Sequence, residues 1–182
     1  PEKQETALHD LREIAPTIYF SSPRAWSAML TRIQVGMQES TKLKRALFDH
    51  FTGFAVATER KRLDGRQPGI GARLHWWLGR VLVFAPLLDQ LGLSRVKRPY
   101  TAGEAIGEDV FLFFRALGLN LRQFYGQTEN CALAVAQSPG DLKLHTVGRP
   151  FPGVEIRIAD DGEILMRGKN CLLYTSPSPR DS

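Results

Sequence analysis

The 182 residues contain only two cysteines, Cys131 and Cys171. That number and spacing exclude a disulfide framework and fit no zinc motif, so a reducing, cytoplasmic setting is the expectation. Histidine is scarce too, with four in the chain. His50, His75 and His145 are expected to be core or surface side chains rather than ligands. No apolar stretch approaches the roughly 20 residues that span a bilayer. The richest, residues 72–84, is broken by Arg73, His75 and Arg80. No signal-peptide pattern follows Pro1. The chain also has no run of glycine with serine or threonine of the sort that cradles a triphosphate.

What remains is an ordinary globular composition, 43% hydrophobic, in a chain long enough for one domain with a core. The net charge of +5 is unevenly placed. Residues 1–100 carry 16 Lys and Arg against 9 Asp and Glu, while residues 101–182 carry 8 against 10. A basic half suits nucleic acid, anionic lipid or a polyphosphate ligand, or is simply a solvated helical face.

The first half reads as helical. Residues 17–20 form a short apolar run, expected to be a strand. Ser22 followed by Pro23 is a helix start, a capping hydroxyl with proline at the first helical position. Trp26, Met29, Leu30, Ile33 and Met37 then recur at helical spacing and predict a buried stripe. Ser40 or Thr41 caps a second helix whose apolar face is read as Leu43, Leu47, Phe51, Phe54 and Ala55. Its basic end, Glu59-Arg-Lys-Arg62, complements the helix dipole. Residues 72–84 predict a third helix, read as a tryptophan-containing core helix, which Pro86 bends or restarts.

The second half reads as α/β. A strand is expected over residues 94–102, then a helix over 108–117 with Val110, Phe111, Phe114 and Leu117 inward. Gly118 stops that helix, and a strand follows over 121–125. Strand, helix, strand is a parallel crossover unit. The loops that leave its two strands, residues 101–106 and 125–130, therefore open on one edge of one sheet, where α/β sheets place their ligands. Residues 154–158 and 163–167, joined through Asp160-Asp-Gly162, predict a β-hairpin. Glu163 and Arg167 are expected to pair or to support it.

The second of those loops holds residue types that suit a nucleotide and that fit an ordinary strand-to-loop corner as well. Tyr125 offers a stacking face and Gly126 a close backbone approach. Thr128 can hydrogen-bond a phosphate oxygen, and the Glu129 carboxylate can hold magnesium. Tyr125-Gly-Gln-Thr-Glu129 resembles the Tyr-Gly-x-Thr-Glu signature of the adenylate-forming superfamily. Two companion stretches stand in order beside it: Thr101-Ala-Gly-Glu-Ala-Ile106 and Gly162-Glu-Ile-Leu-Met-Arg-Gly168. Residues 10–17 through Pro23-Arg-Ala-Trp26 resemble, more narrowly, the long-chain fatty-acid CoA ligases.

The resemblance implies an α/β fold, part of the large N-terminal domain of an adenylate-forming enzyme. It implies a parallel sheet with flanking helices over residues 1–137 and the start of a β-rich subdomain over 138–170. The implied reaction joins a fatty-acid carboxylate to the α-phosphate of ATP, releasing pyrophosphate; coenzyme A then displaces AMP. By the same resemblance, Gly103, Glu104 and Ala105 line the adenine with backbone groups and Tyr125 stacks on it beside Gly126. Thr128 contacts the α-phosphate and Glu129 binds magnesium; these two are the catalytic candidates. The phosphate loop, the ribose-binding aspartate, the hinge and the lysine-bearing C-terminal domain of the family are missing. The sequence is therefore expected to be a fragment, inactive alone. Residues 171–182 are similar to the translation of a sequencing-library adapter and are expected not to be native.

Two alternatives stand beside this reading. One is a fatty-acyl-AMP ligase that hands its product to a carrier protein. The other is a non-catalytic basic helical module that binds a membrane or nucleic acid. For the ligase no nucleic-acid partner is expected, and peripheral membrane contact through the basic, Trp-containing helices stays open.

Overall fold

The computed structural model describes residues 7–138, 140 and 142–171. The expectation for the tail thus falls outside the described residues, Cys171 excepted. Helix α1 (Ala7–Ile14) leads into strand β1 (Ile18–Ser21). Helix α2 (Pro23–Gln38) starts where the capping signal places it, with the Ser22 hydroxyl accepting from the Ala25 amide. Thr41 does the same for α3 (Lys42–Leu63), accepting from Lys44. Helix α4 (Ile70–Gly79) runs into a π-turn (Arg80–Phe84) and then α5 (Ala85–Gln90). Pro86 has no amide to donate, so the helical ladder ahead of it slips by one residue, and the Ala85 amide reaches back to the Arg80 carbonyl.

Strand β2 (Arg98–Thr101), helix α6 (Glu108–Ala116) and strand β3 (Arg122–Tyr125) form the crossover. Strand β2 is shorter than the expected 94–102, because residues 91–97 are spent on turns. The pairs β1–β2 and β2–β3 are parallel. The sheet does not stay parallel. Strands β4 (Val135–Ala136) and β5 (Arg149–Pro150) add antiparallel neighbours, giving the order β1-β2-β3-β4-β5. Each has only two residues, too few for an alternation to register in the sequence. The predicted hairpin is present as β6 (Val154–Ile158) and β7 (Ile164–Gly168), with Arg167 opposite Glu155. Glu163 supports the turn through its backbone: its amide meets the Asp161 carboxylate and its carbonyl accepts from Ala159.

The core lies between the sheet and the helices. Trp26 is wholly buried, with Tyr19 edge-on at 5.2 Å and Phe114 at 4.7 Å. Burial pushes the Tyr19 phenol above its ordinary range, and a hydrogen bond with Ser21 acts against that shift. Met29 and Ile33 join this core, and Leu30 and Met37 pack against it. Helix α6 is buried on nearly every side, with Leu112, Phe113 and Arg115 inside as well as Phe111 and Phe114. It lies between the sheet and α3, so a one-sided stripe understates its burial. On α3 the buried face is Phe48, Phe51, Thr52, Ala55 and Glu59. Leu43 and Leu47, expected on that face, are exposed. Nor is α4 a core helix: Trp76 is half-buried, donating its indole N–H to the Ala116 carbonyl at 2.8 Å, but Trp77 is 56% exposed. His50 and His75 are neighbours, rings 5.1 Å apart, packed with Phe51 and Phe54.

A buried ion pair joins these layers. Arg115 donates Nε and Nη2 to Glu59 Oε1 at 2.8 and 2.7 Å. Its Nη1 reaches Asn120 Oδ1 and the Leu121 carbonyl. Arg62 approaches the other Glu59 oxygen at 3.7 Å, and Arg60 pairs with Glu108 at 2.5 Å. The basic end of α3 thus does more than answer a helix dipole. Glu59→Gln strands the Arg115 charge in the interior and is expected to cost about 3–5 kcal/mol in denaturant unfolding, whereas the paired change Glu59→Leu with Arg115→Met recovers most of it. A single Glu59→Gln variant as stable as the parent would remove this pair from the account of the fold.

Candidate active site

Because β2 and β3 are adjacent and parallel, with Thr101 opposite Gln123, the loops that leave them emerge from the same sheet edge. Gly103, Glu104 and Ala105 follow β2, and all three are exposed. Gly103 has a φ of +102°, a conformation that suits glycine, and open space where a side chain would stand. The Glu104 carboxylate faces Arg24, at the start of α2, at 3.5 Å. Strand β1 ends at this same edge, so the first turn of α2 borders the β2 loop.

The second loop is more tightly built. Thr128–Asn130 form a single 3₁₀ turn, capped by Gln127 and Asn130 reciprocally. Asn130 Oδ1 accepts from the Gln127 amide at 2.9 Å. Gln127 Nε2 donates to the Tyr125 hydroxyl at 2.6 Å, which fixes the phenol at the loop's start. Thr128 and Glu129 lie exposed on the turn, and Tyr125 is half-buried. Cys131 and Ala132 follow in left-handed conformation, φ 54° and 61°, and turn the chain back so that the Ala132 amide closes on the Gln127 carbonyl at 2.8 Å.

This closure corrects the reason for Gly126. A Cβ there would collide with the Ala132 backbone. The close approach that requires glycine is made by the loop's own return, before any ligand arrives. Asn130 has a role that residue type alone does not reveal. It is 2% exposed, and its Nδ2 donates to the Met166 sulfur on β7 at 3.0 Å. Asn170, just past β7, donates to the carbonyls of Asn130 and Leu133 at 3.1 and 2.6 Å. The third motif, Gly162–Gly168, therefore meets the second through Met166. Gln137, also buried, accepts from the Gln123 amide and donates to the Lys143 and Thr146 carbonyls.

The structure thus brings the two loops to one edge of the sheet. A cleft of about 730 Å³ lies on the sheet face beside this edge. Phe20, Tyr100, Phe124, Leu133 and Phe151 line it, and Gly103, Tyr125, Thr128 and Glu129 do not. No group of three or more metal-binding side chains occurs among the described residues. A lone carboxylate with a hydroxyl beside it nonetheless suits magnesium, which is usually held by one or two carboxylates with substrate phosphates and water. Gly126→Ala is expected to cost about 1–3 kcal/mol and to raise amide exchange over residues 126–134 while leaving α6 protected. Unchanged exchange in that segment would show that the Ala132 contact does not constrain it.

Comparison with known proteins places the chain. The family model described as "AMP-binding enzyme" matches residues 1–174. "Putative fatty-acid--CoA ligase fadD11" of Mycobacterium tuberculosis is 28% identical over 173 residues, 91% of this chain and 30% of that protein. "Long-chain-fatty-acid--CoA ligase ACSBG2" of Xenopus laevis is 26% identical over 168 residues, 90% of this chain and 22% of its own. Among solved structures, the anthranilate CoA ligase AuaEII with anthranoyl-AMP aligns at a TM-score of 0.40 and 24% identity, over 51% of this chain and 20% of that one. The chain spans about a third or less of the curated relatives it matches. With a family model covering nearly its whole length, the chain belongs to the AMP-binding enzyme family.

Proposed function

We propose that this chain is part of a long-chain fatty acid–CoA ligase, which makes an acyl-adenylate from a fatty acid and ATP and passes the acyl group to coenzyme A. The observation that carries the reading is the shared edge. Parallel pairing of β2 and β3 sets Gly103–Ala105 and Tyr125–Glu129 side by side in a member of the AMP-binding enzyme family. The fatty-acid relatives support the acyl class of the substrate.

In this reading the carboxylate oxygen attacks the α-phosphorus of ATP and the bond to the pyrophosphate oxygen breaks. The thiol sulfur then attacks the acyl carbon, and AMP leaves with the electron pair of the acyl–oxygen bond. The Thr128 hydroxyl, exposed and preceding the Glu129 carboxylate in one 3₁₀ turn, donates to an α-phosphate oxygen. The Tyr125 ring, its phenol held by Gln127, stacks on the adenine, and the exposed backbone of Gly103–Ala105 borders the base's edge. Glu129 would hold magnesium, which supplies positive charge against the triphosphate. The rigid closure at Ala132 presents both side chains with little reorganisation, the condition under which electrostatic stabilisation is largest.

No helix among the described residues is long and apolar enough to cross a membrane. A cytoplasmic ligase acting on long-chain acids would meet a bilayer peripherally, and the basic, Trp-containing helices are the part suited to that contact.

The test is adenylation by the full-length protein, read as pyrophosphate release dependent on fatty acid. Glu129→Gln keeps size and removes charge, and is expected to lower the rate about 10²–10³-fold. Thr128→Val is expected to lower it as well, and neither change should alter the unfolding midpoint, since both side chains are exposed. Residues 1–170 alone should release no pyrophosphate. A folded Glu129→Gln enzyme at parental rate would overturn the assignment of this loop, and turnover by residues 1–170 would overturn the reading of the chain as a part.

A further inference from the structure

Helix α4 and the π-turn carry an apolar stripe that faces solvent. Ile70, Leu74, Trp77, Leu78, Val81 and Leu82 recur at helical spacing, and all six are exposed, Ile70 to 87% and Leu74 to 66%. The inner face is already taken, by Gly79 against the Phe51 ring, Trp76 against Ala116, and His75 among Phe51 and Phe54. One exposed apolar residue needs no explanation, whereas six on one face mark a contact surface.

The charge around this stripe is predominantly basic. Residues 42–90 hold nine Lys and Arg against four Asp and Glu, a balance of +5 that equals the net charge of the whole chain. One of those four acids, Glu59, is buried against Arg115. Trp77 shares a cleft of about 600 Å³ with Arg62 and Arg73. Lys61 and Arg66 border the start of the same helix. Arg80 lies over the Trp76 ring at 5.6 Å. At the far end, Leu82 adjoins Leu47 and Lys44. Apolar residues with a tryptophan in the middle and basic side chains at the borders are the composition of a helix that lies in a membrane interface. The long basic side chains lay their stems on the apolar surface and leave their charges to lipid phosphates.

We propose that the outer face of residues 70–82, with Lys44, Lys61, Arg62, Arg66 and Arg73 around it, docks on an anionic lipid bilayer. This rests on the peripheral contact proposed above and gives that contact a surface. Gln67 lines the clefts beside the stripe, but the charged side chains there are basic apart from the buried Glu59, which favours an anionic bilayer over a globular partner.

The experiment is flotation of the full-length protein with vesicles of phosphatidylcholine, alone or mixed with phosphatidylglycerol. The parent is expected to float with the mixed vesicles and much less with phosphatidylcholine alone. Trp77→Ser with Val81→Ser should weaken partition about tenfold or more, and Arg66→Gln with Arg73→Gln about fivefold per residue. All four side chains are exposed, and acyl-CoA synthesis from detergent-dispersed fatty acid should stay at parental level in both variants. A protein that floats but lacks ligase activity would sink the proposed function and leave this surface standing. A parent that ignores anionic vesicles, or variants that float like the parent, overturns the docking proposal. So does a changed oligomeric state in the variants, which would assign the face to a second copy, or protection of Trp77 from surface labelling in vesicle-free protein, which would assign it to another segment of a longer chain.

Discussion

Arg115 is the group on which the arrangement depends. A guanidinium can be buried only where its charge and its donors are met. Glu59 meets the charge from α3, and Asn120 with the Leu121 carbonyl meets the donors at the base of β3. One side chain on α6 therefore sets the distance from the outer helix and fixes where the third strand begins. The direction of the 126–130 loop follows from that starting point, four residues of strand away.

The parts of the fold with local causes were legible in the sequence. Ser22 with Pro23 and Thr41 mark their helices because a hydroxyl cap is a short-range event. The crossover over residues 98–125 and the hairpin over 154–168 could be read because their apolar periods are long enough to register. Other features were set by remote partners. Whether α4 is core or surface depends on what covers Trp77, and no sequence period reports that. Strands β4 and β5, two residues each, exist because β3 offers an edge to pair with. Glu59 looked like one more charge in a basic helix end until its partner, 56 residues away, came beside it.

The site divides the same way. Tyr125, Thr128 and Glu129 were marked by the resemblance of Tyr125–Glu129 to a family signature, with two companion stretches in order beside it; by residue type alone they fit an ordinary strand-to-loop corner equally well. Asn130 and Gln127 escaped notice because their importance lies in reciprocal caps and in contacts with Met166 and Asn170, about 40 residues on. Gly126 was marked for a sound reason, close approach, but the approaching atoms belong to Ala132.

The bonds from Met166 and Asn170 have a mechanical consequence. They hold the hairpin at the middle of β7 and just past its end, and they hold the 126–134 loop at Asn130 and Leu133. The hairpin therefore cannot slide along its own axis without pulling on Asn130, whose side chain caps the turn that carries Thr128 and Glu129.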